Sequence, residues 1–217
     1  MARLKLGVLI SGRGSNLQSL IDACADPAYP AEIALVISNV PGAHGLERAE
    51  AAGIQTQTID HKAYESREAF ERDVDGALRA ANVDLVCLAG FMRILTGGFI
   101  GGWRERIVNI HPSLLPAFKG VHVHEQALAA GVRFSGCTVH FVVPEMDAGP
   151  IIAQACVPIR ADDTPDTLAA RVLAEEHKIY PLAVKLIVEG RTVIEQGRVI
   201  IKKAAPADGS LINPRPE

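Results

Sequence analysis

The first part of the chain alternates short apolar runs with amphipathic stretches, and this alternation limits the available folds more than any other feature. Residues 5–11, 32–38 and 83–90 are β-prone and mostly apolar. Residues 14–26 and 66–82 carry apolar side chains at helical spacing. Strands that are apolar on both faces and separated by helices predict a mostly parallel sheet with helices on both of its faces.

The second half of the chain has a different pattern. A strand is predicted at 106–110, and the alternating runs at 136–143 and 150–159 predict two paired strands. A closing hairpin is predicted at 191–201. Because no repeat or linker interrupts the pattern, the sequence predicts a single α/β domain over 1–201 with an antiparallel region toward its C-terminal half.

Individual residues mark the predicted helix ends. Ser66 is the expected N-cap of one helix, and Thr164 followed by Pro165 begins a long helix that is predicted to reach residue 190. Pro181 inside that helix is expected to kink or split it, because proline has no N–H to donate. Residues 202–217 are rich in proline and glycine and are predicted to form a loose tail.

Composition argues against several classes of function. The net charge of −3 and the 5% of aromatic residues offer no basic or stacking surface for nucleic acid. The apolar run from Leu6 to Ile10 is too short to span a membrane, and no signal-cleavage pattern follows it. The cysteines form no CxxC pair, and His122 and His124 lack the further ligands of a metal site. We therefore expect a cytoplasmic protein with no disulfides and no metal.

The sequence SGRGSN lies between the first predicted strand and the first predicted helix, where open α/β sheets bind ligands. A glycine-rich turn that enters a helix exposes N–H groups to an anion. Leu17 occupies the third glycine position of the dinucleotide fingerprint, and no GK[ST] follows. Two interpretations remain: a monophosphate site formed by Gly14, Ser15 and Asn16, or a tight turn with Ser15 as N-cap and no ligand.

A polar pair interrupts the strand predicted at 106–110. Asn109 and His111 are two residues apart, so their side chains project from the same face near the carboxyl end of the strand. An amide N–H and an imidazole can hold a developing oxyanion, and the imidazole can also move a proton. The alternative is a polar strand end whose groups bind loop carbonyls.

Asp147 is the best acidic partner for this pair. It lies in the turn PEMDAGP between two apolar strands. A carboxylate near His111 favours the imidazolium form, whereas an aspartate that supports only its own turn is a common alternative. Spacing along the chain does not decide between the two. His140, inside a predicted strand, belongs either to the core or to the lining of the site.

Two other segments also leave alternatives open. Glu175 and Glu176 lie among apolar neighbours on the long helix, and they form either a solvated face or a binding group for an amine or sugar hydroxyls. Met92, Ile94 and Leu95 follow an apolar strand, and they belong either to the core or to a wall for a flat ring.

Four segments occurring in order resemble those of the phosphoribosylglycinamide formyltransferase family: SGRGSNLQSLI, AGFMRIL, NIHPSLLPAFKG and GCTVHFVVPEMDAGPII. The resemblance extends from Leu6 to Gly190. It implies a Rossmann-like formyltransferase fold. It also implies transfer of a formyl group from the co-substrate 10-formyltetrahydrofolate to the amine of glycinamide ribonucleotide in purine synthesis, without a metal.

The resemblance also implies roles for individual residues. Asn109 and His111 would stabilise the tetrahedral oxyanion, and Asp147 with a water would help carry the amine proton to the leaving folate nitrogen. His140 matches a position that lines the site. The implied contacts of glycinamide ribonucleotide and its phosphate are Gly14, Ser15, Asn16, Leu173, Ala174, Glu175 and Glu176. The implied folate contacts are Arg67, Met92, Arg93, Ile94, Leu95, Asn109, Val143, Pro144, Glu145, Met146 and Asp147.

Other folate proteins of the same fold are the nearest alternatives. Methionyl-tRNA formyltransferase carries an additional C-terminal domain and formyltetrahydrofolate deformylase, a hydrolase, an additional N-terminal one, and we expect neither here. A non-catalytic binding module would lack Asn109, His111 or Asp147, and Leu17 disfavours a dinucleotide-dependent oxidoreductase. The expected partners are the two small-molecule substrates, with no nucleic acid and no membrane. The oligomeric state stays open, with a homodimer as one option.

Overall fold

The computed structural model describes residues 3–204 and 209–213. The strands within these ranges are β1 (Leu4–Ile10), β2 (Ala31–Ser38), β3 (Thr56–Thr58), β4 (Leu85–Leu88), β5 (Ile107–His111), β6 (Phe134–Phe141), β7 (Ile151–Pro158), β8 (Thr192–Glu195) and β9 (Arg198–Ile201). The α-helices are α1 (Ser15–Ala25), α2 (His44–Ala51), α3 (Arg67–Ala80), α4 (Gly97–Gly102), α5 (Val123–Ala129) and α6 (Pro165–Val188). None of these helices has the length and apolar character that crossing a membrane requires.

Seven strands form one sheet in the order β3-β2-β1-β4-β5-β6-β7. The strands from β3 to β5 are parallel, whereas β6 runs antiparallel to both β5 and β7. The predicted fold class, a mostly parallel sheet with an antiparallel part toward the C-terminal half, is confirmed. Because β1 lies between β2 and β4, the direction of winding reverses there, and the carboxyl ends of β1 and β4 border a crevice.

Helices cover both faces of the sheet. On one face, Leu6, Val8 and Ile10 of β1 belong to a core that α1, α2 and α6 complete. On the other face, Leu9 belongs to a second core with α3 and α4, which includes the fully buried Trp103. Successive residues of one strand therefore supply two cores, as the wholly apolar runs of the sequence predict.

The N-caps predicted at Ser66 and Thr164 are present, but the long helix is not split at Pro181. The Ser66 hydroxyl accepts a hydrogen bond from the Ala69 N–H at 3.1 Å, and Thr164 caps α6 with Pro165 as its first residue. α6 nevertheless continues unbroken through Pro181. The adjacent Tyr180 is fully buried and donates its hydroxyl to the Leu88 carbonyl at 2.8 Å. Such packing between helix and sheet offsets the single backbone hydrogen bond that proline removes.

No helix or strand is predicted from the sequence at residues 97–102, yet α4 forms there. Its sequence GGFIGG contains four glycines, which disfavour helix. The Thr96 hydroxyl caps it by accepting from the Phe99 N–H at 3.3 Å, and Phe99 and Ile100 are buried in the second core. Tertiary burial therefore outweighs local propensity in this segment.

β8 and β9 form the predicted hairpin, which turns at Gln196 and Gly197, both with positive φ. The predicted loose tail lies partly outside the described residues. Within them, the amide of Asn213 donates to the carbonyls of Arg133 at 2.7 Å and Ile159 at 3.0 Å. This part of the tail is therefore held against the end of β7.

The connection between β6 and β7 approaches the sheet so closely that only glycine fits at residue 149. A Cβ atom on Gly149 would lie 1.8 Å from the carbonyl oxygen of Phe141. The same connection contains Asp147, which adopts a left-handed conformation with φ of 50°. The position of the Asp147 backbone thus depends on residue 149 being a glycine, which has no side chain.

We expect Gly149→Ala to lower the melting temperature by about 5 °C or more, because a backbone oxygen cannot rotate away from the new methyl group. The matched control is Gly76→Ala in α3, where the added Cβ has no neighbouring atom within 4 Å. This control should gain about 0.5–1 kcal/mol from helix propensity. Thermal unfolding followed by circular dichroism measures both changes, and equal stability of the two variants would contradict the close approach.

Candidate active site

The carboxyl ends of β1 and β4 border a cleft of about 220 Å³. Residues 11–16, which follow β1, form one wall, and Ala89, Gly90 and Met92, which follow β4, form the other. β5 lies beside β4, with Asn109 paired to Leu88 in the register of the two strands. The glycine-rich turn and the polar strand end, far apart in sequence, therefore meet at one edge of the sheet.

The glycine-rich turn ends in the first turn of α1. Gly14 is the N-cap and is left-handed with φ of 70°, so the assignment of Ser15 as the N-cap is wrong. A Cβ atom on Gly14 would lie 2.6 Å from the Cα of Gly45 in α2, and the Gly45 N–H donates to the Gly12 carbonyl at 3.0 Å. No side chain of the described residues caps α1, so its first N–H groups can bind an anion.

The side chains of Asn16 and Glu176 connect α1 to α6. The Asn16 amide nitrogen donates to the Glu176 carboxylate at 2.6 Å, and both side chains are buried. The Asn16 Oδ1 atom is also buried and has no hydrogen-bond partner among the residues that the structure describes. Burial raises the pKa of Glu176, and the hydrogen bond from Asn16 opposes this shift. The pair offers acceptor oxygens to ligand hydroxyls next to the turn.

Asn109 lies directly opposite His140 in the antiparallel register of β5 and β6. The amide nitrogen of Asn109 is 3.3 Å from His140 Nε2, and His140 Nδ1 is 2.9 Å from the Phe141 carbonyl. Since a carbonyl can only accept, His140 Nδ1 carries a proton, and Nε2 accepts from Asn109. Burial lowers the pKa of His140, which favours this neutral form. The second amide N–H of Asn109 stays available to a ligand.

Asp147 lies between the two histidines. Its Oδ2 is 3.5 Å from His111 Nδ1, and its Oδ1 is 3.8 Å from His140 Nε2. The Gly120 N–H donates to the same carboxylate at 2.9 Å. His111 Nε2 is 2.9 Å from the Phe118 carbonyl, so this nitrogen carries a proton, and a second proton at Nδ1 would face Asp147. The fold thus brings Asp147 to His111, which spacing along the chain does not reveal.

The loop that follows β5 is fixed to the two antiparallel strands. The fully buried Thr138 hydroxyl donates to the Ser113 carbonyl at 2.7 Å and accepts from the Leu115 N–H at 3.1 Å. Gln154 of β7 donates to the Leu115 carbonyl at 3.0 Å. These contacts hold the start of the loop, and with it the Phe118 carbonyl that positions His111.

The segments with implied folate contacts differ in exposure. Met92 is 74% exposed and Ile94 58% exposed, whereas Leu95 is buried in the second core. In the Asp147 turn, Pro144, Glu145 and Met146 are exposed and Val143 is half-buried. Met92, Ile94 and Met146 therefore present apolar surface to solvent that a flat ring could cover.

Arginine side chains lie near the first of these segments. Arg67 is exposed at the first position of α3. Arg93 lies over the ring of Phe70, one turn along α3, at 6.0 Å from the ring centroid. α3 and the segment after β4 are therefore in contact.

The implied contacts on α6 divide in two. Of these four residues, only Glu176 forms a side-chain hydrogen bond with the glycine-rich turn within the described residues. Glu175 forms an ion pair with Lys178 at 2.8 Å, Leu173 is half-buried and Ala174 is exposed. Glu176 is therefore the one of the four for which a polar contact with the turn is present in the described part of the chain.

Three polar residues near the site have structural contacts that the sequence does not predict. Ser11 and Thr138 are short side chains without a distinguishing pattern. Glu71 carries a signal: with Val74 and Leu78 it occupies the buried stripe of α3, where an acid is unusual. Within residues 3–204 and 209–213, no three His, Cys, Asp or Glu side chains are grouped to hold a metal ion.

Comparisons with known proteins agree with the fold and the motifs. Residues 4–184 match a family model described as formyl transferase. The Escherichia coli K12 protein named phosphoribosylglycinamide formyltransferase is 44% identical over 98% of this chain and 97% of its own length. The Bos taurus protein named trifunctional purine biosynthetic protein adenosine-3 is 51% identical over 91% of this chain, which spans only 20% of that longer protein.

A solved structure gives the same result. The crystal structure of glycinamide ribonucleotide transformylase 1 from Symbiobacterium toebii matches with a TM-score of 0.91 at 51% identity, over 93% of this chain and 95% of that one. The resemblance that the four sequence segments indicate is therefore confirmed. The chain belongs to the formyl transferase family, with phosphoribosylglycinamide formyltransferases among its relatives.

Proposed function

We propose that the chain transfers the formyl group of 10-formyltetrahydrofolate to the amine of glycinamide ribonucleotide in purine synthesis. The products are formylglycinamide ribonucleotide and tetrahydrofolate. The observation that carries this proposal is the cluster of Asn109, His111 and Asp147 at the end of the strand next to β4, whose end lines the cleft. The names of the relatives support the same reaction.

The acceptor is assigned to the side of the cleft formed by the glycine-rich turn. The N–H groups of Ser15 and Asn16 at the start of α1 would hold its phosphate. Glu176 and the unpartnered Oδ1 atom of Asn16 would accept hydrogen bonds from its ribose hydroxyls. Two buried acceptor groups and a helix N-terminus face the second substrate, and such a site is suited to a phosphorylated sugar rather than to water.

The formyl donor is assigned to the exposed apolar side chains Met92, Ile94 and Met146 and to the backbone around them. Arg67 and Arg93 would lie near its carboxylate end or its ring. This arrangement would bring the formyl carbon to the polar cluster and the acceptor amine to the same point from the opposite wall.

The side chains of the cluster match the charges that develop in the reaction. Attack of the amine nitrogen on the formyl carbon forms the new C–N bond and converts the carbonyl oxygen to an oxyanion. The free amide N–H of Asn109 and the His111 imidazole, which lies beside Asp147, would stabilise that oxygen. His140 remains neutral and keeps the Asn109 amide oriented through its Nε2 atom.

The proton balance assigns a role to Asp147. The attacking amine loses one proton, and the folate nitrogen gains one when its bond to the formyl carbon breaks. Asp147, acting through a water, accepts the first proton and returns it to the leaving nitrogen. Because amide, imidazole and carboxylate groups supply both the stabilisation and the proton transfer, this mechanism needs no metal.

The proposed function is tested by following loss of the formyl group from the donor by absorbance, with and without glycinamide ribonucleotide. We expect turnover only when the acceptor is present. Turnover without acceptor would indicate a hydrolase of the same fold, and no turnover with acceptor would refute the proposal.

We expect His111→Ala and Asp147→Asn each to lower kcat by about 10²-fold or more, because each loses a group that acts mainly in the transition state. The control is His44→Ala at the exposed start of α2, whose imidazole forms an ion pair with Glu47 at 3.6 Å. Its kcat should equal that of the wild type. Steady-state kinetics measures kcat, and circular dichroism shows whether each variant is folded. A folded site variant with a kcat near that of the wild type would contradict the assigned role.

We expect Glu176→Gln to raise the melting temperature of the ligand-free protein at about pH 8 while raising KM for the acceptor. Burial raises the pKa of Glu176 above its ordinary value. Its contribution to stability is therefore full at low pH and is lost as the pH rises through the folded-state pKa. Glutamine resembles the protonated form, so the difference in melting temperature should vanish toward about pH 4.

Glu175→Gln is the stability control, because its carboxylate pairs with Lys178 on the surface. Thermal scans from acid to mildly alkaline pH should show no comparable pH-dependent gain for this variant. A Glu176→Gln protein that is less stable than the wild type at alkaline pH would contradict the cost assigned to the buried charge.

A further inference from the structure

The segment between β4 and α4 carries unpaired backbone groups next to the cleft, whose lining includes Gly90 and Met92 of this segment. We call residues 91–95 the donor loop. The N–H and C=O groups of Arg93, Ile94 and Leu95 form no hydrogen bond with any residue in the described ranges. Three consecutive residues with unpaired backbone groups form an edge that a fused heterocycle with its own donors and acceptors can pair with.

The start of the donor loop is held by a serine. Met92 N–H donates to the Ser11 hydroxyl at 2.7 Å, and that hydroxyl donates to the Asn39 side-chain oxygen at 2.6 Å. Ser11 N–H also donates to the Gly90 carbonyl at 3.1 Å. This end of the loop is therefore attached to the residue that begins the glycine-rich turn.

The far end of the donor loop is held by a buried carboxylate. Glu71 of α3 is only 4% exposed, and one of its oxygens accepts from the Thr96 N–H at 2.7 Å. The other oxygen accepts from the Thr96 hydroxyl. Burying a carboxylate is costly unless hydrogen bonds compensate, so both bonds to a single residue indicate a specific anchor.

A neighbouring carboxylate on the same helix provides a contrast. Asp75, one turn after Glu71, accepts from the Trp103 indole N–H at 2.7 Å and from Arg79 at 2.8 Å. Trp103 is buried in the second core at the end of α4, beyond the donor loop. α3 thus uses one acid to hold the loop and another to hold the helix that follows it.

We propose that Glu71 is a positioning residue for the formyl donor, acting through Thr96 to fix the backbone edge of the donor loop. The inference rests on the proposed function. Glu71 is not among the residues that line the cleft, so its effect on the donor passes through the loop. Without the anchor, the loop would have to be ordered at the expense of donor binding, while the acceptor site on α1 and α6 stays intact.

The test compares Glu71→Ala and Glu71→Gln with Asp75→Ala by steady-state kinetics, varying each substrate in turn. Loss of two hydrogen bonds to a charged group should raise KM for the donor in Glu71→Ala by about tenfold. KM for the acceptor and kcat at saturating donor should change by less than about threefold. Glu71→Gln keeps one acceptor and should recover part of the donor KM. Asp75→Ala should lower the melting temperature without raising the donor KM.

A second readout does not depend on turnover. Amide hydrogen exchange of a peptide spanning residues 91–96 should accelerate in Glu71→Ala and remain at the wild-type rate in Asp75→Ala. Calorimetric titration with tetrahydrofolate should show the same order of affinities as the donor KM values. If Glu71→Ala does not fold, Glu71→Gln, which keeps one acceptor for Thr96 and leaves the cap of α4 intact, replaces it with the same expectations at a smaller size.

An unchanged donor KM in a folded Glu71→Ala protein would overturn the inference. Equal increases in the KM values of both substrates, in parallel with loss of stability, would also overturn it by indicating a general structural role. A wild-type protein without turnover would instead refute the proposed function, and loop exchange and tetrahydrofolate binding would still decide whether Glu71 positions the loop.

Discussion

Parallel strands that are apolar on both faces can carry polar groups only where they end, and this constraint governs the whole molecule. β1, β4 and β5 lose their apolar character at their carboxyl ends, at Ser11, Gly90 and Asn109. Because these strands are parallel neighbours, their ends lie at one edge of the sheet. This is why the glycine-rich turn, the donor loop and the pair of Asn109 and His111 all lie at that edge of the sheet.

The polar groups of the site meet the cost of burial in three different ways. His140 stays neutral and satisfies both ring nitrogens within the protein. Asp147 is shared between a backbone N–H and two imidazoles, which distributes its charge over several partners. Glu176 has one donor and a raised pKa, so it is the group whose surroundings are least complete without a ligand. The degree of satisfaction thus separates groups that support the site from a group suited to binding.

Local rules predict much of this fold and part of the site. Apolar runs locate the strands, and Ser66 and Thr164 locate the starts of two helices. The two-residue spacing of Asn109 and His111 predicts that their side chains project from the same face of one strand, β5. Local rules fail where a distant contact decides the outcome. α4 forms from a glycine-rich segment because its two apolar residues are buried, and α6 continues through Pro181 because Tyr180 is fixed to the sheet.

The meeting of Asp147 with His111, and of His140 with Asn109, lies beyond such rules for a different reason. Both depend on the register of β5 against β6 and on the course of the turn at Gly149, and neither leaves a periodic trace in the sequence. Glu71 is the intermediate case. Its place in the apolar stripe of α3 marks it as unusual, but only the fold identifies Thr96 as its partner.

The contact between Gly14 and Gly45 has a consequence for how this sequence can vary. A Cβ atom on Gly14 would lie 2.6 Å from the Cα of Gly45, and one on Gly45 would lie 3.1 Å from the Cα of Gly14. A side chain at either position would push α2 away from the glycine-rich turn. Once that separation exists, a side chain at the other position meets less obstruction. The two substitutions therefore share the part of their penalty that comes from this contact, while the positive φ of Gly14 and the approach of Ile10 to Gly45 remain separate penalties.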